Sequence, residues 1–286
     1  MDEHEFRQVS LDLASGQLVA QLLLYWHQLL ESEARKSPLL PVLAGHKGHS
    51  QNEEDGIVLE IFRRIGILSR TFVEIGAGNG VENNSLFWLK QGWRGVWIEG
   101  GAENSDFIRR VFAQAIDRGV LHFRQAFVSA ENIDELIGST PFAGSEIDLL
   151  SIDIDGNDYY VFERLTSLDS RVVVIEYNAK YPPPIRWRIP YSPDHAWDGS
   201  DWFGASLQSL VDLFASRKYS LVGCNVTGSN AFFVRNDLLG DKFPCLGEIE
   251  KLYQPARYFM TSGLFHHLAG PPKTSIRIDG VSEPDP

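Results

Sequence analysis

Phe72-Val73-Glu74-Ile75-Gly76-Ala77-Gly78-Asn79-Gly80 sets an apolar run against three glycines at alternate positions. The run predicts a β-strand that stops on a tight turn, where missing Cβ atoms let the chain reverse and let a ligand approach the backbone. Upstream, Ile57, Ile61 and Ile65 recur every fourth residue and Gly66 follows, which predicts a helix over 53–66. Downstream the pattern alternates: a helix over 82–91, a strand over 95–99, a helix over 104–117, a strand around 120–124 and a helix over 130–137. Residues 147–154 and 172–176 are near-continuous apolar runs, as expected of strands covered on both faces of a parallel sheet. A helix over 205–216 then precedes two strands, 219–224 and 231–235, joined by the short turn Thr227-Gly228-Ser229-Asn230 and therefore antiparallel. The expected architecture is α/β, doubly wound and mostly parallel with an antiparallel last strand, and such sheets bind ligands beyond the carboxyl ends of their strands.

Composition narrows the function. With 286 residues, 43% hydrophobic and 22% charged, the chain is long enough for one large core with appendages. Its formal charge of −12 argues against nucleic-acid backbones and anionic membranes as partners. Two cysteines, Cys224 and Cys245, are too few for a disulfide scaffold or a cysteine-based zinc site. Neither a secretory leader nor an apolar run of membrane-spanning length is present, so a soluble, cytoplasmic protein is expected. Leu11, Leu18, Leu22 and Leu29 mark an amphipathic helix over 11–30, and Pro38 and Pro41 break the pattern beyond it. The chain thus divides into a helical extension (1–48), a main domain (49–240) and a C-terminal extension or lid (241–286). Either extension could serve as a lid or as the interface of a homo-oligomer.

The glycine loop selects a ligand. A dinucleotide fingerprint needs glycine at position 81, which is Val81, and a phosphate-cradling Walker loop needs Gly-Lys-Ser/Thr, which is absent. Gly-x-Gly-x-Gly behind Glu74 suits a nucleoside that carries an amino acid. Glu74 can receive the ammonium, and Glu99, nineteen residues beyond Gly80, can accept hydrogen bonds from both ribose hydroxyls. That ligand is S-adenosylmethionine. The rival reading is a purely structural turn with a surface acid.

The chain resembles the FkbM-like branch of class I S-adenosylmethionine-dependent methyltransferases. The resemblance rests on Ser50–Gly56, Phe72–Gly80, Gly92-Trp93-Arg94-Gly95-Val96-Trp97-Ile98-Glu99-Gly100, Asp148–Tyr159, Val172–Asn178 and Gly223–Leu238, about two-thirds of the chain. It implies a seven-stranded, Rossmann-like methyltransferase fold. It also implies cofactor contacts at Glu74, Gly76 and Glu99, and transfer to an oxygen of a sugar or natural product; Gln51, Gly78, Asn79, Ala126 and Asp153 are further expected cofactor contacts. Asn157, Tyr159 and Asn230 are pocket candidates on the same ground.

A second cluster of chemistry closes the fourth and fifth strands. Ser151-Ile152-Asp153-Ile154-Asp155-Gly156 places Asp153 and Asp155 on one face if the strand extends that far, and Glu176 and Asn178 end the neighbouring strand. Asp153, Glu176 and Asn178 would form an all-oxygen set suited to Mg²⁺, which could clamp two substrate oxygens and acidify the attacking one. The alternatives are helix capping, arginine pairing, or contact of Asp153 with the cofactor without metal.

The long connection 177–204 interleaves Tyr181, Trp187, Tyr191, Trp197, Trp202 and Phe203 with acids, a composition that favours a wall for a polyol ring over a merely packed loop. Methyl transfer to a hydroxyl releases a proton, and His195, beside Asp194, is the expected base, with Asp153 and Asp155 as the other catalytic candidates. His46 and His49 are alternatives, and Gln51 and Asp55 could lid the pocket. The expected activity is O-methylation of a small hydroxylated molecule. An N- or carboxyl-methyltransferase, or a silent binding protein on the same fold, are the rivals.

Overall fold

A computed structural model describes residues 3–263, with side chains described for 14–261. Seven strands form one sheet: β1 (Thr71–Ile75), β2 (Arg94–Glu99), β3 (Leu121–Gln125), β4 (Glu146–Ile152), β5 (Asp169–Glu176), β6 (Tyr219–Cys224) and β7 (Asn230–Arg235). Their spatial order is 3-2-1-4-5-7-6, parallel except for β7, which runs antiparallel to both neighbours. This is the class I methyltransferase, Rossmann-like fold. β1, β4 and β5 are apolar because both sheet faces are covered: Phe72, Val73, Ile75, Leu149, Val172, Val173 and Val174 have no solvent exposure.

Helices cover the sheet: α1 (Glu3–Lys36), α2 (Glu54–Ile65), α3 (Leu86–Lys90), α4 (Ala102–Val111), α5 (Ala113–Asp117), α6 (Ile133–Gly138), α7 (Asp158–Arg164), α8 (Leu207–Ser216), α9 (Ile249–Leu252) and α10 (Phe259–Gly263). The helix expected over 104–117 is two, broken at Phe112. The first helix is longer than its apolar periodicity indicates, and its Leu22 and Trp26 join the same core as the sheet, as do Leu252 and Met260 from the C-terminal segment. No described helix is long and apolar enough to cross a membrane.

Two features carry the site. β4 ends at Ile152, one residue earlier than alternation through Asp153 requires. At the opposite end of β4, Asp148 accepts hydrogen bonds from the amides of Leu68, Ser69 and Arg70 and pairs with Arg171 at 2.6 Å, clipping the entry of β1 to β4 and β5. The clip holds the strands in register so that their carboxyl ends line up on one cavity.

Candidate functional site

The carboxyl ends of β1, β2, β4 and β5 open on a cavity of about 980 Å³. Gly76 makes it possible: a Cβ there would lie 1.6 Å from the carbonyl oxygen of Asp153, and its φ of +84° suits only glycine. Gly76, Gly78 and Asn79 line one wall, with Gln51 and Ala126 beside them, so all of these expected cofactor contacts border one space.

Glu99 ends β2 at the same wall. Its Oε2 accepts from the Gly78 amide at 2.9 Å and its Oε1 from the Gly101 amide at 2.7 Å. Oε1 also accepts from Asn104 Nδ2 at 3.4 Å, so the carboxylate fixes the glycine loop while Oε2 keeps a lone pair open to a ligand. Glu74 is placed differently from a free ammonium receptor. It is 1% exposed, and it accepts from the Asn84 amide at 2.9 Å and from the Ser85 hydroxyl, which in turn accepts from Trp97 Nε1. Burial pushes its carboxyl up to about 7 against these hydrogen bonds.

Next to the glycine loop, at the ends of the neighbouring strands β4 and β5, Asp153, Asp155 and Glu176 converge, each offering an oxygen within 4.8 Å of the others. Asp155 reaches this point through a left-handed turn, φ +56°, and not through strand alternation. A short polar side chain tolerates that backbone, and such residues gather at functional sites. Burial and then mutual repulsion push Asp153 and Glu176 well above the usual carboxylate range, with Asp155 first among the charges on Asp153. Asp155 is also raised, by desolvation and by the charge of Glu99 across the cavity. Glu176 Oε2 is buried without a hydrogen-bond partner among the described residues. Three hard oxygen donors that repel one another, one of them with an orphaned atom, fit a divalent cation.

Asn178, expected as the third ligand, is the correction. Its Nδ2 donates to the carbonyls of Asp201 and Phe203 at 2.9 and 3.1 Å, its Oδ1 accepts from the Lys180 amide, and the side chain is wholly buried away from the cavity lining. The amide is committed to shaping the 177–204 connection, and Asp155 stands where Asn178 was expected.

That connection folds over the cavity. His195, Trp197, Ser200, Asp201 and Phe203 line it, whereas Tyr181 and Trp187 stack on each other at 4.1 Å and Trp202 packs edgewise on Trp187. The aromatic composition thus divides between wall and packing. The His195 ring lies on Gly156, where a Cβ would meet its Cδ2 at 2.1 Å, and its Nε2 is buried without a partner. His195 also bears electrostatically on Asp155, while Asp194 is exposed. Asp55 does not lid the pocket. Its Oδ2 accepts from the amides of Gly48, His49 and Ser50, capping the segment before α2. His46, His49 and Tyr159 do not line the cavity, and Arg188 covers the Tyr159 ring at 4.4 Å. Asn157 and Asn230 do line it.

Sequence reasoning did not reach Lys47, whose side chain is 1% exposed and donates to Glu82 at 2.9 Å beside the glycine loop. Nor did it reach Tyr258 and Thr261, which bring the C-terminal segment to the rim, where the Thr261 hydroxyl donates to Asn52 Oδ1 at 2.6 Å. Neither segment carries a motif; only the fold brings them there.

No family model matches the sequence, and no curated protein matches it. Among solved structures, the chain is similar to an O-methyltransferase from Bacillus cereus in complex with SAH, with 16% identity over 76% of this chain and 89% of that one and a TM-score of 0.40. It is also similar to an S-adenosylmethionine-dependent methyltransferase from Clostridium acetobutylicum, with 9% identity over 62% and 89% and a TM-score of 0.38. A third is geranyl diphosphate C-methyltransferase from Streptomyces coelicolor in complex with Mg²⁺, geranyl diphosphate and S-adenosyl-L-homocysteine, with 14% identity over 59% and 62% and a TM-score of 0.38.

Proposed function

We propose that the protein is an S-adenosylmethionine-dependent O-methyltransferase of the FkbM-like type, acting on a hydroxyl of a sugar or other small polyol and assisted by Mg²⁺. The observation that carries this reading is that Glu99 with its glycine loop and the Asp153–Asp155–Glu176 cluster line one cavity, at the carboxyl ends of the neighbouring strands β2, β1, β4 and β5. Glu99 receives the ribose hydroxyls, and Gly76, Gly78, Asn79, Ala126 and Gln51 border the nucleoside and amino-acid parts. Glu74, buried in the cavity wall, contributes negative potential toward the ammonium when ionised. Main-domain residues 49–240 supply these groups, and the N- and C-terminal extensions supply walls.

Asp153, Asp155 and Glu176 would hold the ion, which would supply Lewis-acid polarisation of substrate oxygens and lower the pKa of the one that attacks. The chain's own work is positioning and proton removal. His195, which lines the cavity with its Nε2 buried against Gly156 and unpartnered among the described residues, accepts the proton the hydroxyl loses. Trp197 and Phe203 cover the acceptor ring and exclude water, and alignment of the hydroxyl with the transferable methyl makes displacement effectively unimolecular. Seven carboxyl side chains line the cavity against Lys47 and His195, which disfavours a carboxylate acceptor. The same field suits an amine-bearing acceptor, so N-methylation is the second reading.

Thermal unfolding with S-adenosylhomocysteine, with and without Mg²⁺, tests the proposal. At about 100 times its dissociation constant the nucleoside should stabilise by about 2.7 kcal/mol, a shift of several degrees. A shift that grows with Mg²⁺ supports cofactor and ion together. A shift indifferent to Mg²⁺ retains the methyltransferase without the metal. No shift in a folded sample sinks the enzyme reading in favour of a binding protein.

A further inference from the structure

Glu54 is wholly buried and does not line the cavity, yet it governs a group that does. Its Oε2 accepts from the Asn52 amide at 2.8 Å. Its Oε1 accepts from three carboxamides: Asn52 Nδ2 at 3.0 Å, Asn225 Nδ2 at 2.8 Å and Asn230 Nδ2 at 3.0 Å. A carboxylate offers only lone pairs, so each of these amides must turn its NH₂ inward. For Asn230 the consequence is specific. Its oxygen points away from Glu54, and Oδ1 is buried without a hydrogen-bond partner among the described residues although the residue lines the cavity.

The sheet determines what stands next to that oxygen. β7 runs antiparallel to β5, and Asn230 is paired directly with Glu176. Directly opposed residues in an antiparallel pair share a face, with Cβ atoms about 4.5–5.5 Å apart. Glu176 Oε2 is also buried and unpartnered. With Glu176 ionised, two orphaned acceptor oxygens side by side cannot satisfy each other; they call for a cation or a donor between them. The adjoining groups on Asp153 and Asp155 are acceptors as well when ionised.

We propose that Asn230 Oδ1 is a fourth oxygen ligand of the divalent-cation site and that Glu54 is the positioning residue that turns it there. This rests on the metal part of the function proposed above. Three carboxylates already exceed the charge of one divalent ion, so a neutral carboxamide oxygen adds a ligand without adding repulsion. It is the amide-oxygen donor that the sequence pattern seemed to offer at Asn178, delivered instead by the reversed strand.

Mn²⁺ titration of the full-length protein, read by electron paramagnetic resonance, tests this, with S-adenosylhomocysteine affinity measured on the same samples. Asn230→Ala should weaken Mn²⁺ binding about tenfold or more while leaving nucleoside affinity within about twofold. Glu54→Ala should weaken Mn²⁺ similarly, and Glu54→Gln, whose amide oxygen can still accept from Asn230, should restore most of it. If Glu54→Ala does not fold, Asn230→Ala alone decides. Unchanged Mn²⁺ affinity in Asn230→Ala overturns the inference and leaves the metal reading intact. Loss of nucleoside affinity instead of Mn²⁺ affinity assigns the oxygen to a donor on the cofactor and likewise overturns it. A parent protein that binds no Mn²⁺ removes the metal reading and the inference together.

Discussion

At the scale of single residues, the cavity depends on atoms that are missing as much as on those present. Gly76→Ala would drive a Cβ into the Asp153 carbonyl at 1.6 Å from a backbone with φ of +84°. Strain of both kinds should lower stability by about 3 kcal/mol or more, or prevent folding, as urea denaturation would report. Glu99→Ala removes an acceptor from the cavity and also releases the Gly78 and Gly101 amides. Its expected signature is loss of the thermal shift given by S-adenosylhomocysteine, with the unliganded midpoint changed far less. The roles of these residue types were legible in the sequence because glycines behind a strand and an acid after the next strand have few other uses. The choice between Asn178 and Asn230 was not legible. Both sit beside Glu176, one two residues along the chain and one across the sheet, and only the pairing of β5 with β7 distinguishes them. Asp155 was reached for an incomplete reason: strand alternation stops at Ile152, and a left-handed turn completes the approach.

At the scale of elements, the two ends of the sheet do different work. The Asp148–Arg171 pair is buried, and Arg171 also donates to the carbonyls of Gly66 and Ile65. Burial alone would raise the Asp148 carboxyl, yet the amides of Leu68, Ser69 and Arg70 with the Arg171 guanidinium hold it below the usual carboxylate range. Arg171→Met would leave that charge without its partner, and breaking a buried pair costs about 3–5 kcal/mol. The loss should appear in chemical denaturation while S-adenosylhomocysteine affinity is retained, because this clip lies at the far end of the strands from the cavity. The seven strands and the helix over 53–66 were legible because period and punctuation agree there, whereas the helix expected over 82–91 is confined to Leu86–Lys90. α7 was not: seven residues, Asp158–Arg164, give too few turns for a periodicity to emerge beside the turn that precedes them. The break at Phe112 was hidden for a related reason, since neither glycine nor proline marks it.

At the scale of the whole molecule, several carboxyl groups are buried without a matching cation, and this sets the pH response. Burial, followed by the charge of Glu54, raises Glu53 to about 8, against hydrogen bonds from the Val226 and Thr227 backbone. In the unfolded chain the group ionises from about 4.5, so between about 4.5 and 8 the folded state holds a proton that the unfolded state has released. Stability should therefore fall as pH rises through that window. Glu53→Gln should flatten the upper part of the decline, by an amount on the order of a few kcal/mol, in thermal midpoints taken from pH 5 to 9. Asp158, raised to about 6, and Glu74, raised to about 7, add their own declines at lower pH. The reversed strand has a different kind of consequence. Val226 to Ser229 form a short polar turn of the sort that usually tolerates added residues, and 177–204 is the longer and more conspicuous loop. Yet one residue inserted in the short turn would slide β7 by one place against β5 and exchange the faces of all its side chains. Ser229 or Ala231 would then stand opposite Glu176 in place of Asn230. Among descendants of this chain, the length of the short turn should therefore stay frozen.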